Sequence, residues 1–113
     1  MRSFNARIIT PEGVAFDEPV TALTAPGAGG RFGVLAGHAA MLAAVCCGFL
    51  SVTQNEVTRF FAIDGGVLDV RKDGVHVMVG QAFGFSDELS ATQKASAMAA
   101  ALEAARKSVP GAL

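Results

Sequence analysis

The sequence predicts a mainly β chain closed by one C-terminal helix, and three observations carry that prediction. Apolar and polar residues alternate in short runs, and turn residues recur every eight to twelve positions. A run rich in alanine and free of Gly and Pro then fills residues 90–108. Many short strands without intervening helices give a β-sandwich of about ten strands, not a βαβ fold. The sandwich is expected over residues 1–85 and a helical segment over 86–113.

Phe4, Ala6 and Ile8 alternate with Asn5 and Arg7, a period-two strand. Thr10-Pro11-Glu12-Gly13 supplies a turn. "VAF" and "VTALTA" follow as two strands divided by Asp17-Glu18-Pro19, and "APGAGG" then reads as an exposed loop. "RFGVL" is a strand. "MLAAVCCGFLSVTQ" holds two more, with a break near Gly48, and Asn55-Glu56 marks a hairpin turn.

In "VTRFFAI", Val57, Arg59, Phe61 and Ile63 share one face, while Phe60 and Ala62 share the other. Asp64-Gly65-Gly66 turns into "VLDV". Asp73-Gly74 joins that strand to "VHVMV", a strong hairpin signal. Val75, Val77 and Val79 point one way, and His76 and Met78 the other.

Ser90 with Gln93 fits a capping box, which predicts the helix start. Ala91, Ala95, Met98, Leu102 and Ala105 recur at steps of four and three, one apolar stripe about 28 Å long. Arg106 and Lys107 complement the helix dipole, and Pro110-Gly111 ends the element. A stripe of alanines buries little area, so the helix needs the sandwich or another chain to lean on.

Composition excludes several functions. A net charge of −1 offers no basic face for nucleic acid, and the chain has eight Phe but no Trp or Tyr to stack on bases. "MRSFNARIIT" alternates and has no apolar core of signal-peptide length, so no secretory leader is expected. Ala39–Leu50 falls well short of the roughly 20 residues needed to span a bilayer. Contact with a membrane is expected only through partners. Cys46 and Cys47 sit in an apolar run and read as small buried hydrophobes on opposite faces of a strand, in a reducing compartment.

Two histidines and two thiols do not make the three or four converging ligands a metal needs. No cofactor is expected. No GxSxG, HExxH, CxxC or P-loop occurs, and "GAGGRFG" lacks the helix that a dinucleotide loop requires. The stretch "GGRFGVLAGHAAML" is distinctive, because a glycine precedes His38 and an apolar run follows it. His38 there is either a turn residue that caps nearby backbone or a functional contact; an acid–base pairing with Asp64 or Asp69 is the enzymatic alternative.

"TPEGVAF", "GGRFGVLAGHAAML", "FAIDGGVLDV" and "VHVMV", in that order, resemble the epsilon subunit of F-type ATP synthases. The resemblance covers nearly the whole sandwich portion. It implies a β-sandwich followed by a helical hairpin, at the foot of a central stalk, bound to the gamma subunit and resting on the ring of c subunits. Such a subunit turns with both partners and catalyses nothing. Gly30, Arg31, Phe32, Gly33, Gly37 and His38 are the implied ring-facing set, with Thr10 and Met41 toward gamma and Thr10 on the same edge as His38. A peripheral position on the cytoplasmic side of a bacterial inner membrane follows.

Departures from the family pattern carry further expectations. Arg31 stands where a carboxylate is frequent, which reverses the charge offered to the ring. Ala36 and Ala40 replace prolines, giving a less stiff loop. Only one helix fits between Ser90 and Pro110, in place of a full hairpin. The family's "(I/L)-D-x-x-R-A" signature, linked to ATP binding, aligns with Leu89 to Lys94, where the aspartate has become Ser90 and the arginine Gln93. Little ATP sensing and little inhibition of hydrolysis are therefore expected. A β-sandwich binding module unrelated to rotary enzymes is the alternative.

Overall fold

The computed structural model describes residues 2–108, with side chains through residue 105. Ten strands precede one helix: β1 Phe4–Thr10, β2 Gly13–Val20, β3 Ala22–Gly27, β4 Gly30–Leu35, β5 Met41–Val45, β6 Gly48–Gln54, β7 Val57–Ile63, β8 Gly66–Arg71, β9 Gly74–Val79, β10 Ala82–Phe85 and α1 Glu88–Ser108. One layer runs β2-β1-β9-β8-β5 and the other β10-β7-β6-β3, with β4 paired to β3. The layers join where Gly27 of β3 meets Val45 of β5. All neighbours are antiparallel except β1 and β9, whose pairing is parallel.

The inner faces supply the core. Ile8, Leu23, Leu50, Ile63, Leu68 and Val77 are fully buried between the layers, each worth about 1.5–3 kcal/mol relative to exposure. Phe16 and Phe61 meet edge to face at 5.5 Å, tying β2 to the facing layer. Val75, Val77 and Val79 share one face as predicted, and the structure turns that face inward and His76 and Met78 outward. Phe61 and Ile63 share the core face of β7, whereas Val57, on the same face, lies past the end of the core and is exposed.

Turn chemistry holds at most predicted corners. Asn55 and Glu56 both have positive φ, 47° and 72°, which a tight two-residue hairpin demands. Gly66 has no alternative, because a Cβ there would run into the carbonyl oxygen of Met78 on β9.

Four expectations are corrected. Asp17-Glu18-Pro19 divides nothing: β2 continues through it, because β2 is an edge strand and Pro19 can forgo its missing N–H there. "APGAGG" is mostly strand, with only Ala28-Gly29 outside β3 and β4. Pro26 falls where β3 leaves β6 and reaches β5, so on that edge its lost donor interrupts no ladder. The break after β5 is Cys46-Cys47 itself, and Gly48 opens β6. Cys46 is therefore exposed and Cys47 half-buried, rather than both being buried on a strand.

The helix begins two residues earlier than predicted, with Asp87 as its cap. The Asp87 carboxylate accepts the Ser90 amide at 2.7 Å and the Ser90 hydroxyl at 2.9 Å. Ser90 is thus a first-turn residue, and the carboxylate is the better acceptor at a positive helix end. The stripe works for half its length. Ala91, Ala95 and Met98 are buried over the outer face of β6, β7 and β10, whereas Leu102 and Ala105 are exposed where α1 overruns the sheet. The side chains of Arg106 and Lys107, and Pro110-Gly111, lie outside the described residues.

Candidate functional site

The glycine-flanked histidine lies in the turn between β4 and β5. Gly37 has φ of 85°, a conformation that favours glycine. The His38 amide donates to the Leu35 carbonyl at 3.1 Å, closing the turn, and His38 Nδ1 lies 2.7 Å from the Ala39 carbonyl. The ring is exposed and is tied to its own backbone. The turn-residue reading of its local chemistry holds.

Register places the remaining predicted residues. Met41 pairs with Val70 on β8, near Arg71↔Gly74 and Asn5↔Gly74, so Met41, Gly37 and His38 share one end of the sandwich with Arg2 and Phe4. At the opposite end, Thr10 faces Gly13, Val79 faces Gly66, Gly66 faces Val45, Val45 faces Gly27, and Gly27 faces Gly30. Thr10 and Gly30 therefore belong to the end away from His38. The expectation that Thr10 shares an edge with His38 is corrected, because the intervening strands each cross the full height of the sandwich. Thr10 organises its own turn, its hydroxyl donating to Gly13 O and accepting from Glu12 N, both at 3.2 Å.

The six residues expected to face the ring do not form one cluster. β4 carries Gly30, Arg31, Phe32 and Gly33 along its length, away from the Gly37-His38 corner. Phe32 is half-buried against the core. Arg31 folds back: Nη1 donates to the Phe49 carbonyl and Nη2 to Thr24 Oγ1, each at 2.7 Å, and its guanidinium stacks 3.7 Å from the Phe49 ring centre. Two of its N–H donors serve the sandwich, and the side chain stays exposed.

No acid–base pair forms around His38. Asp64 lies at the opposite end, accepting the Gly80 and Gln81 amides at 3.0 and 2.9 Å, and Asp69 is bound by Arg71 at 2.7 Å. Among the described residues no group of three or more His, Cys, Asp or Glu side chains is placed to hold a metal. Cys47 donates its thiol to the Ala95 carbonyl of α1 at 3.3 Å. Burial, then Asp64 and Cys46, push that thiol's pKa up, which keeps it protonated.

A different surface emerges from cross-strand register. Ala44 pairs with Val67, Val67 with Met78, Met78 with Ile9, and Ile9 with Val14. These five form an apolar row across the outer face of the β2-β1-β9-β8-β5 layer, and Val67, Met78 and Val14 are 37%, 41% and 58% exposed. Leu42, 72% exposed, lies beside it. A polar row with Asp69, His76, Arg7 and Asp17 runs parallel. On the other layer α1 covers the outer face of β6, β7 and β10; no described element covers this one. Sequence reasoning missed the row because only Met78's outward direction shows locally, and the row's continuity depends on five strands in register.

Residues 3–84 match the family described as ATP synthase, Delta/Epsilon chain, beta-sandwich domain. An ATP synthase epsilon chain of Rhodopseudomonas palustris strain BisB5 is 37% identical over 87 residues, 77% of this chain and 64% of the relative. The Nitrobacter winogradskyi epsilon chain is 35% identical over 99 residues, 88% of this chain and 73% of the relative. The chain thus spans just under two thirds of the first of these relatives. A chain in the cryo-EM structure of the Euglena gracilis mitochondrial ATP synthase superposes with a TM-score of 0.71 at 22% identity, covering 96% of this chain and 68% of that one, and shares its fold. The sandwich, its ordered turn motifs and these matches agree: the chain belongs to the ATP synthase delta/epsilon family, and residues 3–84 are its β-sandwich domain.

Proposed function

We propose that the chain is the epsilon subunit of an F-type ATP synthase, a non-catalytic rotor piece coupling the gamma subunit to the c ring during proton- or sodium-driven synthesis or hydrolysis of ATP. The observation that carries this reading is the open apolar row Ala44-Val67-Met78-Ile9-Val14 on a family sandwich whose other outer face is already covered. An uncovered apolar sheet face of this kind marks a protein interface. We assign the row to gamma, with Thr10 next to Ile9 of the row; Met41, also expected toward gamma, packs against the core on the other face of β5. Gly37 and His38 face the ring, and Gly30, Arg31, Phe32 and Gly33 line the flank along β4.

The first helical turn supports little ATP sensing. Ser90 spends its amide and hydroxyl on Asp87, and Gln93 carries no charge for a phosphate. Little inhibition of hydrolysis is expected from α1, which lies docked along β6, β7 and β10. No helix among the described residues is long and apolar enough to cross a membrane. The bacterial epsilon chains that the chain is similar to support peripheral attachment through the complex, on the cytoplasmic side of a bacterial inner membrane.

Mixing the chain with the gamma subunit of the same genome tests the reading. A stable one-to-one complex is expected, weakened about tenfold or more by Met78→Lys or Val67→Lys with the melting temperature unchanged. A wild-type chain that stays monomeric beside folded gamma favours an unrelated sandwich module and ends the proposal.

A further inference from the structure

The Gly37-His38 corner borders a cleft of about 440 Å³ whose charge is opposite to that of the whole chain. It is lined by Arg2, Phe4, Leu35, Gly37, His38 and the Arg71-Lys72-Asp73 turn, among others. Three cations against one carboxylate give a formal charge of +2 with His38 neutral, on a protein whose total is −1. Arg71 is committed to Asp69 at 2.7 Å. Arg2 and Lys72 have no ion-pair partner among the described residues, and Asp73 in the same cleft is not within salt-bridge distance of either.

Gly37 shapes the cleft. The Arg2 guanidinium lies over the turn: a Cβ at this position would be in ordinary contact with Arg2 Nη1 and Nη2, at 3.4 and 3.5 Å, and what calls for glycine is the φ of 85°. The guanidinium therefore sits beside the His38 corner, and a guanidinium can bind a carboxylate through two parallel hydrogen bonds. Arg31, the cation whose position in the sequence suggested an acidic partner, has both its described donors engaged by Phe49 and Thr24 and is not part of the cleft.

Resting on the rotor reading above, we propose that Arg2 and Lys72, over Gly37, form a docking cleft for an Asp or Glu side chain on the polar loop of a ring subunit. The reversed charge at position 31 is answered here, at the opposite end of β4. Attachment then depends on ionic strength, because both cations are solvent-facing and screened by salt.

The full chain, assembled with gamma and the purified c ring of the same organism, supplies the test. The Arg2→Gln/Lys72→Gln double variant should bind the ring about tenfold more weakly at about 50 mM salt and converge with wild type at about 500 mM. Changing the acidic residues of the ring's polar loop to their amides should cause the same loss and add nothing to the double variant. Gly37→Ala, which strains the positive-φ turn that Arg2 lies over, should weaken attachment in the same direction; should it unfold the turn instead, the double variant decides alone, since its two sites are exposed. Wild-type affinity of the double variant at low salt, with gamma and ring both bound, overturns the cleft and leaves the rotor reading standing. Failure of the wild-type chain to join gamma or the ring brings down the rotor reading itself, and the cleft with it.

Discussion

The Arg31 guanidinium lies 3.7 Å above the Phe49 ring, and Nη1 donates to that residue's carbonyl at 2.7 Å. The charge is thus held over β3 and β6, and the side chain stays exposed. Burial lowers its pKa, and Glu88 raises it in part.

Arg31→Ala should therefore cost stability, about 1–2 kcal/mol in a urea titration, from the lost stacking and hydrogen bonds. Arg31→Lys should recover only part of this, because an ammonium does not lie flat on a ring and reach two acceptors at once. An unchanged unfolding midpoint for Arg31→Ala would show that the contact contributes nothing in solution.

Cys46 and Cys47 should differ in reactivity. Cys46 is exposed, whereas Cys47 is half-buried, protonated and donating to Ala95. A thiol reagent should modify Cys46 first, since the thiolate is the reacting form. Met98→Ala removes the largest side chain that α1 buries and should cost about 2 kcal/mol of helix docking. It should speed labelling of Cys47 and leave Cys46 unchanged; equal acceleration of both would refute the contact. Mass spectrometry of timed samples reads both rates.

Acid should fray α1 through Asp87. Its folded pKa lies below the ordinary 3.8, first because of the Ser90 amide and then because of the Ser90 hydroxyl. A depressed carboxylate pKa stabilises the folded form fully above the unfolded value, and the contribution is lost as pH falls through 3.8 and then through the lower folded value. Helical circular dichroism should decline over that window in wild type and begin lower, with a flatter acid limb, in Asp87→Ala. Superimposable acid limbs would rule out the cap.

The legible parts of the fold were those set by neighbouring residues. Alternation in "VHVMV" put the valines on one face and His76 and Met78 on the other, and Asn55-Glu56 and Asp73-Gly74 gave two hairpins, because pleat and turn conformation are properties of a few consecutive residues. Pro19 and Pro26 misled for the complementary reason. Whether a proline breaks a strand depends on which edge lacks a neighbour, and that is a property of the sheet.

The sequence by itself determined the β-then-helix order, the family, and the turn chemistry around His38, since each rests on residue types in a fixed local order. Tertiary structure alone decided that Thr10 and His38 sit at opposite ends, that Arg31 lies across the surface onto Phe49 and Thr24 while Arg2 and Lys72 have no ion-pair partner among the described residues, and that five apolar residues from five strands make one row. Those outcomes depend on the pairing register of strands distant in sequence. Local pattern can say which face a side chain takes, but only the assembled ladder says beside what.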